Sequence, residues 1–155
     1  MNVNGEKGLL PFQREARVRT LRLAQPVAMG TASLVTGLTC AAARQVAAGQ
    51  WSLPDQFSSA PAAADAVTPL RWASGVMAVA NAGLGVYKIL AEPDGLESDR
   101  SRTCRYVSGG GNLVVAAGLV GQVLGWGPWT LAISGAGVLA TVIADAVRTL
   151  ENPER

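Results

Sequence analysis

Between Tyr106 and Asp145 the chain carries no charged residue, and that gap limits the possible folds more than any other feature. Residues 107–125 and 129–150 form two apolar runs of about 20 residues each. At about 1.5 Å per residue such a run is roughly 30 Å long, the thickness of a bilayer's hydrocarbon core. Gly125-Trp126-Gly127-Pro128-Trp129 separates them and supplies a tight reversal. A soluble helical hairpin needs a polar face, and neither run has one. The pattern predicts a transmembrane hairpin.

Composition agrees. Charged residues make up 15% of the 155-residue chain, against about a quarter in soluble domains. The 18 glycines suit closely packed membrane helices. The mean hydropathy of +0.25 keeps a soluble helical bundle as the alternative. A net charge of +2 is too small to imply nucleic acid. Histidine is absent, which removes the commonest general base and metal ligand. The two cysteines, Cys40 and Cys104, make no disulfide framework. Their expected depths differ too much for a bond between them. The first apolar run starts after residue 26, which speaks against a cleavable signal peptide; a signal anchor cut near Ala47-Ala48 is the rival reading.

In chain order, residues 1–26 are polar and basic. Arg14, Arg17, Arg19 and Arg22 with Phe12, Val18, Leu21 and Leu23 suit a surface helix touching anionic lipid headgroups, or else a solvated tail that orients the protein. Residues 27–48 form a first, hydroxyl-rich span, expected to turn toward other helices rather than lipid. Residues 49–70 hold Pro54, Pro61 and Pro69 and are expected to be a loop. Residues 72–91 form the second span, 92–105 a charged solvated loop, 107–125 and 129–150 spans three and four, and 151–155 a polar tail.

Two signals orient these spans. Lys and Arg gather before the first span, at 88–105 and at the C-terminus, which by the positive-inside rule puts both termini in the cytoplasm. Trp51, Trp72, Trp126 and Trp129 all fall at the opposite interface, where an amphipathic indole is favoured, and Tyr87 and Tyr106 fall at the inner one. The hairpin also repeats. Arg19–Leu23 matches Arg102–Tyr106, Gln45-Val46 matches Gln122-Val123, and Ser74-Gly75, Ala80, Lys88 and Leu90 match Ser134-Gly135, Ala140, Arg148 and Leu150. The fold expected is therefore all-α: a polytopic membrane protein with four transmembrane helices arranged as two tandem-duplicated helical hairpins. Parallel copies of this kind are related by an axis along the membrane normal.

Rows of small residues at four-residue spacing mark helix faces able to approach closely in lipid. They are Ser33/Gly37/Ala41, Ser74/Ala78/Ala82, Ala117/Gly121/Gly125 and Ala132/Ala136/Ala140/Ala144. Gly37, Ala78, Ala82, Gly121, Gly125, Ala136 and Ala140 are the packing candidates. Gly109-Gly110-Gly111 has no P-loop context and reads as a tight entry to span three. Asn81, Asn112, Gln122 and Asp145 are intramembrane polar groups, costly in lipid and thus functional candidates. Asn81 and Gln122 are expected to bond between helices and Asp145 to pair with Lys88 or Arg148; alternatively, Asn81, Gln122 and Asp145 line a polar path.

No pattern here supports catalysis, a metal or a cofactor. The function expected is a non-catalytic membrane scaffold or partner-binding subunit that contacts the bilayer and forms a homo-oligomer or joins a membrane partner. The competing class is a small channel, transporter or pore-former, holin-like or secreted and membrane-inserting.

Overall fold

A computed structural model describes residues 11–51, 60–92 and 98–151, without the side chains of 11–15, 17–19, 21–22 and 60–62. Four helices follow one another: α1 (Pro11–Ala47), α2 (Ala60–Leu90), α3 (Asp99–Leu124) and α4 (Trp129–Glu151). All four are long and apolar enough to cross a membrane.

Three helices start earlier than their hydropathy alone suggests. α1 begins at Pro11, so the basic segment continues into the first span as one rod of about 55 Å. Pro26 lies inside it and removes a single N–H from the ladder. α2 begins at Ala60, within the stretch expected to be a loop. Pro61 stands in the first turn, where backbone N–H groups have no intrahelical partner anyway, and the alanines around it are the strongest helix formers. α3 begins at Asp99 rather than Val107. Ser98 is its N-cap, extended at φ −65° and ψ 153°, and its hydroxyl accepts from the Ser101 N–H at 3.1 Å. Asp99 adds a carboxylate at the positive end of the helix dipole. The charged turn expected to be solvated is thus partly interior, with Ser101 and Arg105 buried. At its other end α3 stops at Gly125, left-handed at φ 82°, whose N–H bonds back to Gly121 and Gln122.

Contacts fix the arrangement. Gly118 and Gly121 meet Thr130 while Gly111 meets Thr141; Gly85 meets Gly109 while Gly75 faces Val123; Gly30 meets Val138 while Gly37 meets Leu131. Each pair runs in opposite senses, so α3 is antiparallel to α4 and α2, and α1 is antiparallel to α4. Sequence neighbours pack side by side, α3 with α4 most extensively, and α1 closes the ring on α2 and α4. α1 and α3 touch slightly across one diagonal, whereas no α2 Cα lies within 8 Å of an α4 Cα among the described residues. Gly125, Trp126, Trp129 and Arg44 share one end of the bundle; Lys88, Arg105 and Asp145 share the other.

The bundle's polarity is inverted relative to a soluble protein. Among the described residues, Ser33, Ser74, Asn81, Ser108, Asn112, Gln122, Thr130, Ser134 and Thr141 are buried, while Val35, Leu38, Val76, Val79, Val114, Leu139 and Ile143 are exposed. Water would strip such a surface into aggregation, since exposed apolar patches of that extent mark an interaction or membrane face. A lipid solvent removes the conflict. The fold is that of a four-helix bundle suited to a multi-pass membrane protein.

The interior stripes repeat every 3.5 residues. They are Gly30/Ser33/Gly37/Cys40 on α1, Ser74/Ala78/Asn81/Gly85 on α2, Ser101/Arg105/Ser108/Asn112/Val115/Leu119/Gln122 on α3 and Thr130/Ser134/Gly137/Thr141/Ala144 on α4. A 3.5-residue repeat is the stripe by which antiparallel or parallel helices pack along their length. Rows at four-residue spacing drift around an α-helix by about 40° per step, because four residues exceed one turn of 3.6. On α4 the drift is visible: Ala144 is buried, Ala140 half-buried, Ala136 and Ala132 exposed. Ala136 therefore faces outward, away from α3. Ala117 is likewise exposed, and Gly125 caps α3 rather than extending its row. Gly37, Ala78 and Gly121 are buried and Ala82 is half-buried.

Candidate functional site

The polar seam holds the residues that carry chemistry, and its middle is apolar. Ala78, Val115 and Leu119 form a buried cluster, with Met77 and Val138 packed against it. Polar groups lie on both sides of that cluster.

On the tryptophan side, Gln122 donates through Nε2 to the Thr130 hydroxyl and to the Gly127 carbonyl at 3.3 Å. Arg44 reaches from α1 and donates to the Gln122 carbonyl at 2.6 Å. That carbonyl belongs to the last turn of α3, the negative end of its dipole, where a cation is favoured. A Cβ on Gly125 would collide with the Arg44 guanidinium. Gly125 thus serves the turn twice, by its positive φ and by leaving room for Arg44. Trp51, Trp72, Trp126 and Trp129 are all exposed at this end; Trp129 Nε1 donates to the Trp126 carbonyl at 2.7 Å.

On the opposite side, Lys88 Nζ stands 2.7 Å from Asp145 Oδ2 and donates to Ser108 Oγ at 2.6 Å. Lys88 is thus the partner of Asp145, and the pair joins α2 to α4 through α3. Its side chains are 21% and 15% exposed. Losing one member strands a charge, which costs about 3–5 kcal/mol in a fully buried pair and less in one that, like this, keeps some solvent access. Arg105 donates to the carbonyls of Lys88 at 3.0 Å and of Ala91, clamping the C-terminal turn of α2. Arg100 pairs with Glu151 at 2.8 Å, tying the start of α3 to the end of α4.

Asn81 sits in the α1–α2 contact, donating to Ser33 Oγ at 2.9 Å and to the Met77 carbonyl at 2.8 Å. Asn112 occupies the α3 stripe one turn from Ser108 and is 5% exposed; its Nδ2 has no acceptor among the described residues. The structure therefore gathers Asp145 with Lys88 and Ser108, and leaves Asn81 and Gln122 in separate contacts on α1–α2 and α3–α4. The lipid-headgroup candidates Arg14, Arg17, Arg19 and Arg22 belong to α1 by backbone, but their side chains lie outside the described residues. Cys40 and Cys104 are both free.

The glycine triplet is not a helix entry. It lies a full three turns into α3, and its members face different neighbours. An added Cβ on Gly111 would come 2.8 Å from the Gly137 carbonyl, and one on Gly109 would come 3.0 Å from the Gly85 carbonyl. Both contacts are reciprocal, so α3 touches α4 and α2 backbone to backbone. Gly110, between them, meets nothing within 4 Å. Ser108, Arg105, Thr130, Ser134 and Thr141 also belong to the seam, and single-residue scanning for polar groups misses them. Reading the apolar and small positions at 3.5-residue period, the spacing of a coiled-coil stripe, would have found them.

Among the described residues no group of three His, Cys, Asp or Glu side chains is placed to hold a metal ion. No family model, curated protein or solved structure matches the chain.

Proposed function

We propose that the chain is a non-catalytic, multi-pass membrane protein that acts as a scaffold or partner-binding subunit, pairing in the bilayer with a second copy or another membrane protein. The observation carrying this reading is the outward face of α4. Ala132, Ala136, Leu139, Ile143 and Leu150 repeat the heptad spacing of the inner seam on the opposite side of the helix, and all are exposed. Gly135 beside them has open space where a Cβ would stand. Small residues consumed by internal packing need no second explanation; these are left over. In lipid such a face associates through close van der Waals contact.

Membrane placement with both termini in the cytoplasm belongs to the same reading. Lys88, Arg100, Arg102, Arg105 and Arg148 lie toward the end of the bundle opposite the four tryptophans. A tandem duplication is supported by the seam itself. Ser74 and Ser134, like Asn81 and Thr141, stand 60 positions apart, and all four are buried. A pore would require the Ala78–Val115–Leu119 cluster to part, which ranks that class second.

Crosslinking of the full chain in native membrane tests the association. Ala136→Ile should weaken the crosslinked species, and Val79→Ile, on the exposed face of α2, should not. Equal behaviour of the two overturns the α4 interface. Orientation is tested in a Cys40→Ser/Cys104→Ser background with an impermeant thiol reagent outside intact cells. Ser58→Cys should label and Ser98→Cys should not; labelling of both defeats the four-span orientation.

A further inference from the structure

α2 and α4 face each other across the one diagonal that no backbone contact closes. Lys88 spans it, holding Asp145 of α4 at 2.7 Å and Ser108 of α3 at 2.6 Å. The bridge lies near one end of the bundle with both its side chains partly exposed, and beyond it on α3 Arg105 and Ser101 are buried. Inward from Ser108 the seam stays polar at Thr141 and Asn112, while Gly85 and Gly137 bring the backbones of α2 and α4 against α3. Thr141 spends its hydroxyl on the Ser108 backbone carbonyl at 3.3 Å. Asn112 keeps a buried amide N–H donor with no acceptor among the described residues, and a buried donor of that kind calls for a partner such as water. One turn further in, Val115 begins the apolar cluster with Ala78 and Leu119.

We infer that the Lys88–Asp145 bridge is a latch over a one-ended polar vestibule. The vestibule reaches from that end of the bundle to Asn112 and stops at the Ala78–Val115–Leu119 cluster. When the bridge is released, water enters as far as Asn112, whose free amide donor binds it or a small solute offering a hydrogen-bond acceptor. The bridge suits a latch because it is neutral when closed, while each partner alone is a charge that seeks water.

The test uses the full chain in liposomes, in the Cys40→Ser/Cys104→Ser background, with a small charged thiol reagent applied to both faces. The reporters are Asn112→Cys inside the vestibule and Leu119→Cys within the plug. Asp145→Asn should raise the modification rate at Asn112→Cys about tenfold, as expected when the open population grows by a decade, and leave Leu119→Cys slow. Lys88→Met removes the same bridge from the other side and should do the same, so failure of one variant to insert leaves the other to decide. The swap Lys88→Asp/Asp145→Lys should restore the slow rate, and the apolar pair Lys88→Met/Asp145→Leu should keep it slow by closing the mouth with dry contact. An unchanged rate at Asn112→Cys in both single variants overturns the latch. An equal rise at Leu119→Cys also overturns it, because the plug would then have loosened with the rest of the bundle.

Discussion

α1 and α3 stand on opposite corners of the same bundle and run in the same direction, yet they meet the demands of lipid by opposite means. Over the apolar window of α3, 56% of residues are buried within the protein; over that of α1 the share is 22%. α3 gives up side chains. Gly109 and Gly111 bring its backbone against Gly85 and Gly137, so its neighbours replace lipid around it. α1 instead satisfies its own polar groups. Ser33, Thr36 and Thr39 donate to the carbonyls of Met29, Ala32 and Val35, one turn back, at 2.7–2.9 Å. A hydroxyl bonded to its own helix costs little in lipid. The hydroxyl content of residues 27–48 therefore does not force that helix inward, contrary to the sequence-based expectation. Thr31 and Thr39 are exposed beside Val27, Val35 and Leu38.

The contrast breaks first at the glycines. Gly111→Leu should cost more than the about 1–3 kcal/mol of ordinary overpacking, because a Cβ there meets the Gly137 carbonyl and the Thr141 backbone nitrogen, neither of which can swing aside. Gly37→Leu, on α1, meets only the δ carbons of Leu131 and Leu119 at 3.0 and 3.4 Å, and rotamer adjustment accommodates part of it. Thermal unfolding in detergent should separate the two variants clearly. Similar losses would mean that the α3–α4 backbone contact is not special.

A smaller effect is expected where α1 is tied to α3. Arg44→Met removes the guanidinium from the Gln122 carbonyl, and a charged hydrogen bond of this type contributes about 1.5–3 kcal/mol. The lower end applies, since Arg44 is only half-buried. Protease sensitivity of the α1 C-terminus should rise while α3–α4 stays protected. Smaller again is Asn81→Leu, which severs the Ser33 bond between α1 and α2. Interhelical bonds in membranes average about 0.6 kcal/mol, so a shift of the unfolding midpoint larger than that for Arg44→Met would invert the proposed order.

Helix number, helix type and the tryptophan end were legible in the sequence because they follow from run length and from indole placement. The starts of α1, α2 and α3 were not. Ser98-Asp99 is a readable cap hidden behind charges, and Ala60-Pro61 is a readable first turn hidden behind a proline count. The site was half legible. Asp145 announces itself as a charge in an apolar run, but the choice between Lys88 and Arg148 as its partner needed the structure. Asn112 likewise stands out, but that its donor lacks an acceptor among the described residues is a property of the folded bundle. On α4 the small-residue row leaves the internal seam, because a four-residue row and a 3.5-residue seam coincide for only about one turn before they part.

The finest test of the comparison lies within three consecutive residues of α3. Gly109, Gly110 and Gly111 look equivalent in sequence, but the structure gives them different surroundings. Gly109 and Gly111 abut carbonyls of α2 and α4, whereas Gly110 has open space where a Cβ would stand. Glycine in a helix interior is less favourable than alanine by about 0.5–1 kcal/mol, chiefly through the entropy of the unfolded chain. Gly110→Ala should therefore stabilise the protein by about 0.5 kcal/mol, the lower figure because the unfolded state in a membrane is already largely helical. Gly109→Ala meets the Gly85 carbonyl at 3.0 Å and an Ile89 side-chain carbon at 2.7 Å, so it should destabilise in spite of the same propensity gain. Unfolding midpoints of the two single variants, measured in the same detergent, should fall on opposite sides of the parent. Equal signs would show that the triplet acts through local helix propensity, and that backbone contact on both flanks of α3 does not set it apart from α1.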